Sequence, residues 1–358
     1  MQITTRHWDG TDAAGLAAGL RASVPPPEAL AADVAALIAD VRERGDEAVL
    51  ELGERFDGGR PDALLIAPER AEQALAEPDP DLARALRTAA ANIESVAAGQ
   101  LAGRVPATIE PGQGQQISVS EVAVGAAGIY VPGGRAPYPS TALMGAIPAR
   151  VAGVERVLVA SPVSAEAGGK EPHPAVLAAC AVAGADEIYA MGGAQAIAAL
   201  ALGTESVAPV DVIAGPGGPW VQEAKLAASR WTGIDSYAGP SELVVLADRA
   251  APPRWIALDL CAQAEHGADG MLVAICTDAG LAEGDADVLD GVVRARLEIA
   301  VGFHLQAEPA VAAEQVEHVV EEADAGRGGD FAAVEVHRDL DPGLVRVALD
   351  CCLACHQP

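Results

Sequence analysis

Lysine is nearly absent from this sequence: Lys170 and Lys225 are its lysines, and arginine supplies the rest of the positive charge. The 23 basic side chains are outnumbered by 51 acidic ones, which gives a formal net charge of -28 at pH 7. A surface this acidic repels nucleic-acid phosphates and anionic membrane surfaces, because like charges raise the free energy of association. We therefore expect neither nucleic acid nor a membrane as a partner.

Long apolar runs are also absent. No uncharged apolar stretch approaches the roughly 18 residues that a membrane-spanning helix requires. The N-terminal stretch lacks the basic segment and apolar core of an export signal, so we expect a cytoplasmic protein. In that compartment the six cysteines are expected to be free thiols or metal ligands, not a disulfide framework.

The common nucleotide-binding motifs are missing, since the sequence contains neither G-x-G-x-x-G nor G-x-x-x-x-G-K-[ST]. What it contains, from about Val122 onward, is a series of short apolar runs that each lead through a glycine-bearing turn into a helical pattern. The pairs are GIYVPGG with PSTALMGAIPARVAG, RVLVASP with PAVLAACAVAGA, EIYAMGG with AQAIAALALG, and VDVIAGPGG with PWVQEAKLAASRW. This alternation predicts parallel β-α-β units with helices on both faces of a sheet.

Helical periodicity dominates the stretch from Pro27 to about Gln100, and these helices need a partner surface elsewhere. A helix is also predicted over the acidic run at residues 284–306, and a strand over MLVAICTD. The sequence thus indicates an α/β fold preceded by N-terminal helices.

Glycine turns follow the predicted strands at Gly133-Gly134, Gly192-Gly193 and Gly215-Pro216-Gly217-Gly218. Ligands of open α/β sheets settle where strands end and helices begin, because backbone N–H groups are exposed at those helix N-termini. The turns are therefore candidate site elements, although each taken alone is also typical of an ordinary strand-to-helix connection.

The pentapeptide QAEHG ends a helix predicted from Pro253. Gln263 and His266 are three residues apart and share one helix face, and Gly267 is placed for a left-handed C-cap. A histidine in the last turn of a helix complements the helix dipole, which is one interpretation of His266. His266 also fits a zinc ligand beside the Gln263 amide oxygen, but a zinc site needs about four ligands.

Several long segments, in order and in register, closely resemble the histidinol dehydrogenase family. They are DVRERGDEAVLELGERFDG, GIYVPGGRAPYPSTALMGAIPARVAGV, GGAQAIAALALGTESVAPVDVIAGPG, AGPSELVVLAD and QAEHG. The resemblance runs from about residue 30 to about residue 278. It implies a zinc-containing, NAD-dependent oxidoreductase of amino-acid biosynthesis, a homodimer that oxidises an amino alcohol through an aldehyde to the acid.

The resemblance also implies roles for individual residues. Tyr130 and Gln195 would contact NAD, and Ser241 would contact the substrate. Gln263 and His266 would be zinc ligands that also face the substrate.

At Gly218, a third expected NAD-binding position, the family usually has the asparagine of a G-P-G-N turn. Loss of that amide removes one polar contact, typically about 1 kcal/mol, so NAD binding is expected to survive.

The C-terminal region departs further from the family, which has an A-P-E-H-L segment with an acid–base glutamate and histidine and then supplies two more zinc ligands. Here the sequence ends in VRVALDCCLACHQP. An alignment with shifted spacing places His356 at the catalytic histidine and Cys355 at the glutamate, in which case oxidation stops at the aldehyde.

Other interpretations of this segment stay open. It matches the haem attachment pattern C-x-x-C-H, which needs export. Cys351, Cys352 and Cys355 are alternatively soft zinc ligands, or small apolar residues of a frayed terminus.

We therefore expect a shortened family member with two Rossmann-like lobes that have parallel sheets. Residues 132–236 form one lobe, and residues 1–131 together with 237–358 form the other, discontinuous lobe. The expected function is NAD-dependent oxidation of an amino alcohol or related polar alcohol. The alternatives are a paralogue with altered chemistry in a specialised pathway and a non-catalytic binding or regulatory protein.

Overall fold

The structure is a computed structural model. It describes residues 3–8, 12–22, 30–76, 80–104, 106–133, 137–237, 242–248, 250–264, 271–276 and 297–302. The strands are β1 (Ile3–Trp8), β2 (Leu65–Ile66), β3 (Ala107–Ile109), β4 (Ile117–Val119), β5 (Ala126–Tyr130), β6 (Arg156–Ser161), β7 (Glu187–Ala190), β8 (Val212–Ala214), β9 (Gly233–Ile234), β10 (Leu243–Ala247), β11 (Leu272–Cys276) and β12 (Leu297–Gly302). The helices are α1 (Ala13–Arg21), α2 (Ala31–Arg44), α3 (Asp46–Phe56), α4 (Pro68–Ala76), α5 (Pro80–Ala102), α6 (Pro139–Val151), α7 (Pro174–Ala183), α8 (Gly193–Leu202), α9 (Pro219–Ala228) and α10 (Pro253–Ala264).

The chain divides into two compact units. One contains residues 27–239, and the other contains residues 1–26 together with residues 240–358. The larger unit has a sheet with the strand order β2-β7-β6-β5-β8-β9. All its pairs are parallel except β2 with β7, which are antiparallel and lie at one edge. β3 and β4 form a separate antiparallel hairpin whose residues are exposed.

Apolar side chains on both sides of this sheet explain why β5, β6 and β7 are almost entirely buried. Tyr130, Leu158 and Tyr189 belong to a core shared with α2, α3, α8 and α9. Ile129, Val159 and Ile188 belong to the core on the opposite face, shared with α4, α5, α6 and α7. The alternation of these residues along each strand follows from the two-residue period of a strand.

Most residues of the connecting helices α7 and α8 are buried, which is typical of a helix covered on two sides. One side packs on the sheet, and the other packs on the N-terminal helices: α4 lies on α7, and α2 and α3 lie on α8. Cys180 of α7 is fully buried in this arrangement, and burial raises the pKa of its thiol to about 12.

The observed division differs from the expected one. The N-terminal helices were assigned to the discontinuous lobe, with a boundary at residues 131–132, whereas the structure places residues 27–131 in the unit of the six-stranded sheet. The physical reason is the apolar outer surface of α7 and α8, on which α2, α3 and α4 pack. The second boundary lies at residues 239–240, near the expected position at 236–237.

The smaller unit has a parallel sheet with the strand order β1-β12-β11-β10. Alternate residues of β11 face opposite sides: Val273 and Ile275 contact a core with α1, and Leu272 and Ala274 contact a core with α10. The helix predicted over residues 284–306 is wrong at Leu297–Gly302, which pairs as a central strand instead. Its apolar residues alternate with polar ones too irregularly for periodicity to separate the two structures.

The predicted fold class is confirmed: the chain is α/β, has parallel-dominated sheets and carries N-terminal helices. The four β-α pairs predicted after Val122 correspond to β5 with α6, β6 with α7, β7 with α8 and β8 with α9. Cys180 is a free, buried thiol. None of the described helices is long and apolar enough to cross a membrane.

Two helical glycines allow the packing to be tested. A Cβ added at Gly145 of α6 would lie 2.4 Å from Cγ2 of Ile129, whereas a Cβ at Gly99 of α5 would meet no atom within 4 Å. We expect Gly145→Ala to lower the free energy of unfolding by about 1–3 kcal/mol, because the core is overpacked. Gly99→Ala is the matched control and should raise it by about 0.4–1 kcal/mol. Urea denaturation measures both, and equal effects would contradict the packing of α6 on β5.

Candidate active site

The carboxyl ends of the parallel strands of the larger unit meet at one edge of the sheet. The chain runs from β5 outward through β6 to β7, and then returns to the other side of β5 to form β8 and β9. The strand order therefore reverses between β5 and β8, and ligands of open α/β sheets bind at the strand carboxyl ends beside such a reversal. The glycine turns after β5, β7 and β8 all lie at this edge.

The turn between β7 and α8 is closed by groups from distant parts of the chain. The Gly192 N–H donates to Oδ2 of Asp57 at 3.1 Å, and the Gly193 N–H donates to the Tyr130 hydroxyl oxygen at 3.0 Å. Gly193 has a φ of +63°, which favours glycine, and a Cβ at Gly192 would lie 2.5 Å from Cβ of Pro162. The backbone path of this turn therefore requires both glycines.

Gln195 lies on the first turn of α8, and only 1% of its surface is exposed. Its Nε2 donates to Oδ2 of Asp57 at 3.4 Å, near the long end of the hydrogen-bond range. The amide folds back over the turn, since a Cβ at Gly193 would lie 2.7 Å from Oε1 of Gln195. Among the described residues, no group donates a hydrogen bond to Oε1.

Burial changes the acidity of both oxygen-bearing side chains at this turn. It raises the pKa of Asp57 to about 6, against the hydrogen bonds from Gly192 and Gln195, which lower the pKa. Burial also raises the pKa of Tyr130 well above its usual range; the hydrogen bond from Gly193 opposes this rise and the Asp57 charge adds to it. At neutral pH the site therefore combines a carboxylate with a protonated phenol.

The turn after β8 is held by an ion pair between a buried lysine and a partly exposed aspartate. Gly215 has a φ of +137°, and a Cβ there would lie 2.1 Å from the backbone oxygen of Tyr130. The Gly215 N–H donates to Oδ2 of Asp235 at 2.9 Å, and the Gly215 carbonyl accepts from Nζ of Lys225 at 3.0 Å. Lys225 is 1% exposed and forms an ion pair with Asp235. These bonds hold the turn after β8 against α9 and against the residue that follows β9.

The N-terminus of α9 follows the same turn. Gly218 is the N-cap and Pro219 is the first helical residue. A Cβ at Gly217 would lie 2.4 Å from Cγ1 of Val221, whereas a Cβ at Gly218 would meet no atom within 4 Å. There is thus open space beside a helix N-terminus, where backbone N–H groups and the helix dipole favour an anion.

The predicted site residues fall into two groups. Tyr130 and Gln195 both contact the Gly193 turn, and Gly218 lies at the same edge of the sheet. Gln263 lies near the end of α10 in the smaller unit and is partly buried.

Several predicted site residues lie outside the described residues, namely Ser241, His266, His356 and the C-terminal cysteines. The cap predicted at Gly267 lies outside them as well. Among the residues that are described, no group of at least three His, Cys, Asp or Glu side chains is arranged to hold a metal ion.

Sequence reasoning missed Asp57, Lys225 and Asp235. Asp57 is the C-cap of α3, where the helical pattern ends, and nothing in that pattern indicates a partner far along the chain. Lys225 did carry a signal, because it is one of two lysines in a sequence that otherwise uses arginine. A lysine retained on the inner face of a helix indicates a buried ammonium group that needs an acidic partner.

The raised pKa of Asp57 makes folding stability depend on pH. The folded state holds this proton more tightly than the unfolded chain, whose carboxyl has a pKa of about 3.8. The contribution to stability is therefore present below about pH 4 and is lost as the pH rises through about 6. We expect Asp57→Asn, which cannot ionise, to become more stable relative to wild type over this interval.

Chemical denaturation between pH 4 and pH 8 measures this difference. Asp33→Asn, at an exposed position of α2, controls for the loss of one negative charge. Parallel pH profiles for wild type and Asp57→Asn would contradict the raised pKa.

Comparison with known proteins identifies the family of the chain. A model of the histidinol dehydrogenase family matches residues 23–324. A histidinol dehydrogenase of Thermobifida fusca is 44% identical over 276 residues, which cover 76% of this chain and 62% of that protein. One of Parasynechococcus marenigrum is 47% identical over 244 residues, which cover 68% of this chain and 55% of that protein.

A solved structure is similar as well. The crystal structure of histidinol dehydrogenase from Elizabethkingia anophelis has a TM-score of 0.65 and 30% sequence identity, and it covers 79% of this chain and 67% of that chain. The chain spans less than two thirds of the length of the two curated relatives above. Because the family model matches most of its residues, the chain belongs to the histidinol dehydrogenase family.

Proposed function

We propose that the protein binds NAD at the carboxyl edge of the six-stranded sheet and oxidises an amino alcohol or a related polar alcohol. The observation that carries the proposal is the paired donor and acceptor at the Gly193 turn, in a chain of this family. The Tyr130 hydroxyl accepts from the Gly193 N–H, which leaves its own hydrogen to be donated. Gln195 supplies the acceptor, because its Oε1 receives no hydrogen bond from the described residues.

A donor and an acceptor side by side suit groups that both give and receive hydrogen bonds. The ribose hydroxyls and the carboxamide of a nicotinamide dinucleotide are such groups. Its pyrophosphate suits the open space beside Gly218 at the N-terminus of α9. The described residues therefore fit the dinucleotide, and bound NAD would supply the hydride acceptor for alcohol oxidation.

The metal proposal rests on the family resemblance. Gln263 and His266 would hold zinc, with about two further ligands needed to complete the shell. His356 remains the predicted base for alcohol deprotonation. Homodimer assembly and a cytoplasmic location also remain predictions, and sedimentation of the purified protein tests the first.

The direct test is an assay of NADH formation with a panel of amino alcohols, combined with metal analysis of the purified protein. Turnover of histidinol favours the reaction named by the family, and turnover of another alcohol favours a paralogue with altered chemistry. If the protein shows no turnover, no metal and no NAD binding, the remaining hypothesis is a non-catalytic binding protein.

The number of oxidation steps follows from the same assay. One NADH per alcohol with a trappable aldehyde supports a reaction that stops at the aldehyde, whereas two NADH and free acid support complete oxidation.

Restoring the family asparagine at position 218 should strengthen NAD binding. A side chain there meets no neighbouring atom, and the Gly218 φ of -67° is accessible to any residue. One added polar contact of about 1 kcal/mol corresponds to roughly fivefold tighter binding for Gly218→Asn. Gly218→Ala is the control, since it fills the same space without an amide. Titration calorimetry with NAD measures both, and equal affinities would place the dinucleotide elsewhere.

Removing the predicted histidine ligand should release the metal. We expect His266→Ala to lose most bound zinc, because two side-chain ligands from one helix end are then reduced to one. His318→Ala removes an imidazole that has no motif around it and should keep the metal content of wild type. Metal analysis by mass spectrometry provides the measurement. Full zinc content in His266→Ala would rule out this ligand.

A further inference from the structure

The side chain of Asp57 reaches the Gly193 turn from outside the β-α-β series. It is the C-cap residue of α3 and lies 138 positions before Gln195 in the chain. Its Oδ2 accepts from both the Gly192 N–H and Nε2 of Gln195. None of the motifs that define the resemblance assigns it a role.

An ionised carboxylate has no hydrogen to donate, and this decides the orientation of the neighbouring amide. Only the NH₂ end of Gln195 can face Asp57 favourably, because its carbonyl oxygen would be repelled by the negative charge. Oε1 must then point away from Asp57. Oε1 receives no hydrogen bond from the described residues and is not one of their fully buried unpartnered atoms, so it is open to a donor from solvent or from a ligand.

We infer that Asp57 is a positioning residue that fixes the Gln195 amide with its oxygen toward the ligand, so that Gln195 recognises a hydroxyl or amino hydrogen and not a phosphate. This inference rests on the proposed NAD site and deepens it. It assigns the Gly193 turn to a ribose or carboxamide group of the dinucleotide. The anionic pyrophosphate belongs at the N-terminus of α9, since the carboxylate of Asp57 repels a second anion at α8.

The test removes the acceptor. In Asp57→Ala, no oxygen accepts from Nε2 of Gln195, so the amide is free to turn its NH₂ end toward the ligand, where it meets another donor. In Asp57→Asn, the new amide oxygen can take the position of Oδ2 and accept from both the Gly192 N–H and Nε2 of Gln195, which keeps the orientation of Gln195. The two variants lose the same charge and differ in the acceptor.

Binding of NAD to the full chain is measured by titration calorimetry. We expect Asp57→Ala to weaken binding at least fivefold, the effect of about one hydrogen bond, and Asp57→Asn to stay within about threefold of wild type. Gln195→Glu places two carboxylates together and should bind more weakly than wild type. Inorganic pyrophosphate, which carries no hydroxyl or amino group, should bind Asp57→Ala and Asp57→Asn equally.

The outcomes separate this inference from the proposed function. If wild type binds NAD and Asp57→Ala binds it equally well, Asp57 serves only to cap α8 and the positioning role is wrong. If Asp57→Asn binds NAD as weakly as Asp57→Ala, the lost charge and not the orientation of Gln195 is the cause, and the inference is overturned. If wild type binds no NAD, the proposed function itself fails. Denaturation of each unliganded variant shows whether it is folded, and strong coupling between Asp57→Ala and Gln195→Ala would verify the pair independently of NAD.

Discussion

The architecture depends on one constraint: a parallel sheet has two apolar faces, and its connecting helices can be apolar on both sides only if a further layer covers them. α8 is buried at every position from Ala194 to Ala201, a pattern that no helix at a protein surface tolerates. The N-terminal helices provide the cover. Their packing on α7 and α8 brings α3 close to the turn after β7, and the end of α3 then places Asp57 at the site.

The helix α3 therefore has two roles: it covers α8, and its end places a side chain at the site. α3 ends at Phe56, and the next residue delivers a carboxylate to the N-terminus of α8. A helix N-terminus in this class of fold is often left open for an anion of the ligand. Here an internal anion occupies that position at α8, while α9 keeps open space beside Gly218. The turns after β7 and β8 thus differ: an internal carboxylate lies at the first, and open space lies beside the helix N-terminus at the second.

Sequence patterns predicted the strands and connecting helices of the larger unit because each has a simple period and a glycine at its end. They also placed Tyr130, Gln195 and Gly218 at strand-to-helix turns, and the structure brings these turns to one edge. The compact units differ from the predicted lobes at residues 27–131, and the sequence contained a sign of this difference. PAVLAACAVAGA and AQAIAALALG are apolar all round, which indicates a second covering layer and not a surface helix.

Periodicity could not predict Asp57, because its partners are 135 and 138 residues away and its own helix gives no indication of them. The prediction for Leu297–Gly302 failed for a related reason, because this strand pairs with β1, which lies far away in the sequence. Local patterns describe contacts that are near in sequence. Long-range contacts of polar groups depend on the completed fold.

The rate at which the buried thiol of Cys180 is alkylated can measure how often the larger unit opens. A pKa of about 12 leaves almost no thiolate at neutral pH, and α7 shields the sulfur between the sheet and α4. An alkylating reagent can modify this cysteine only while α7 is detached from both neighbours. The rate of its modification therefore counts rare opening events of the native ensemble, and any ligand that binds only the closed form slows it in proportion to its occupancy.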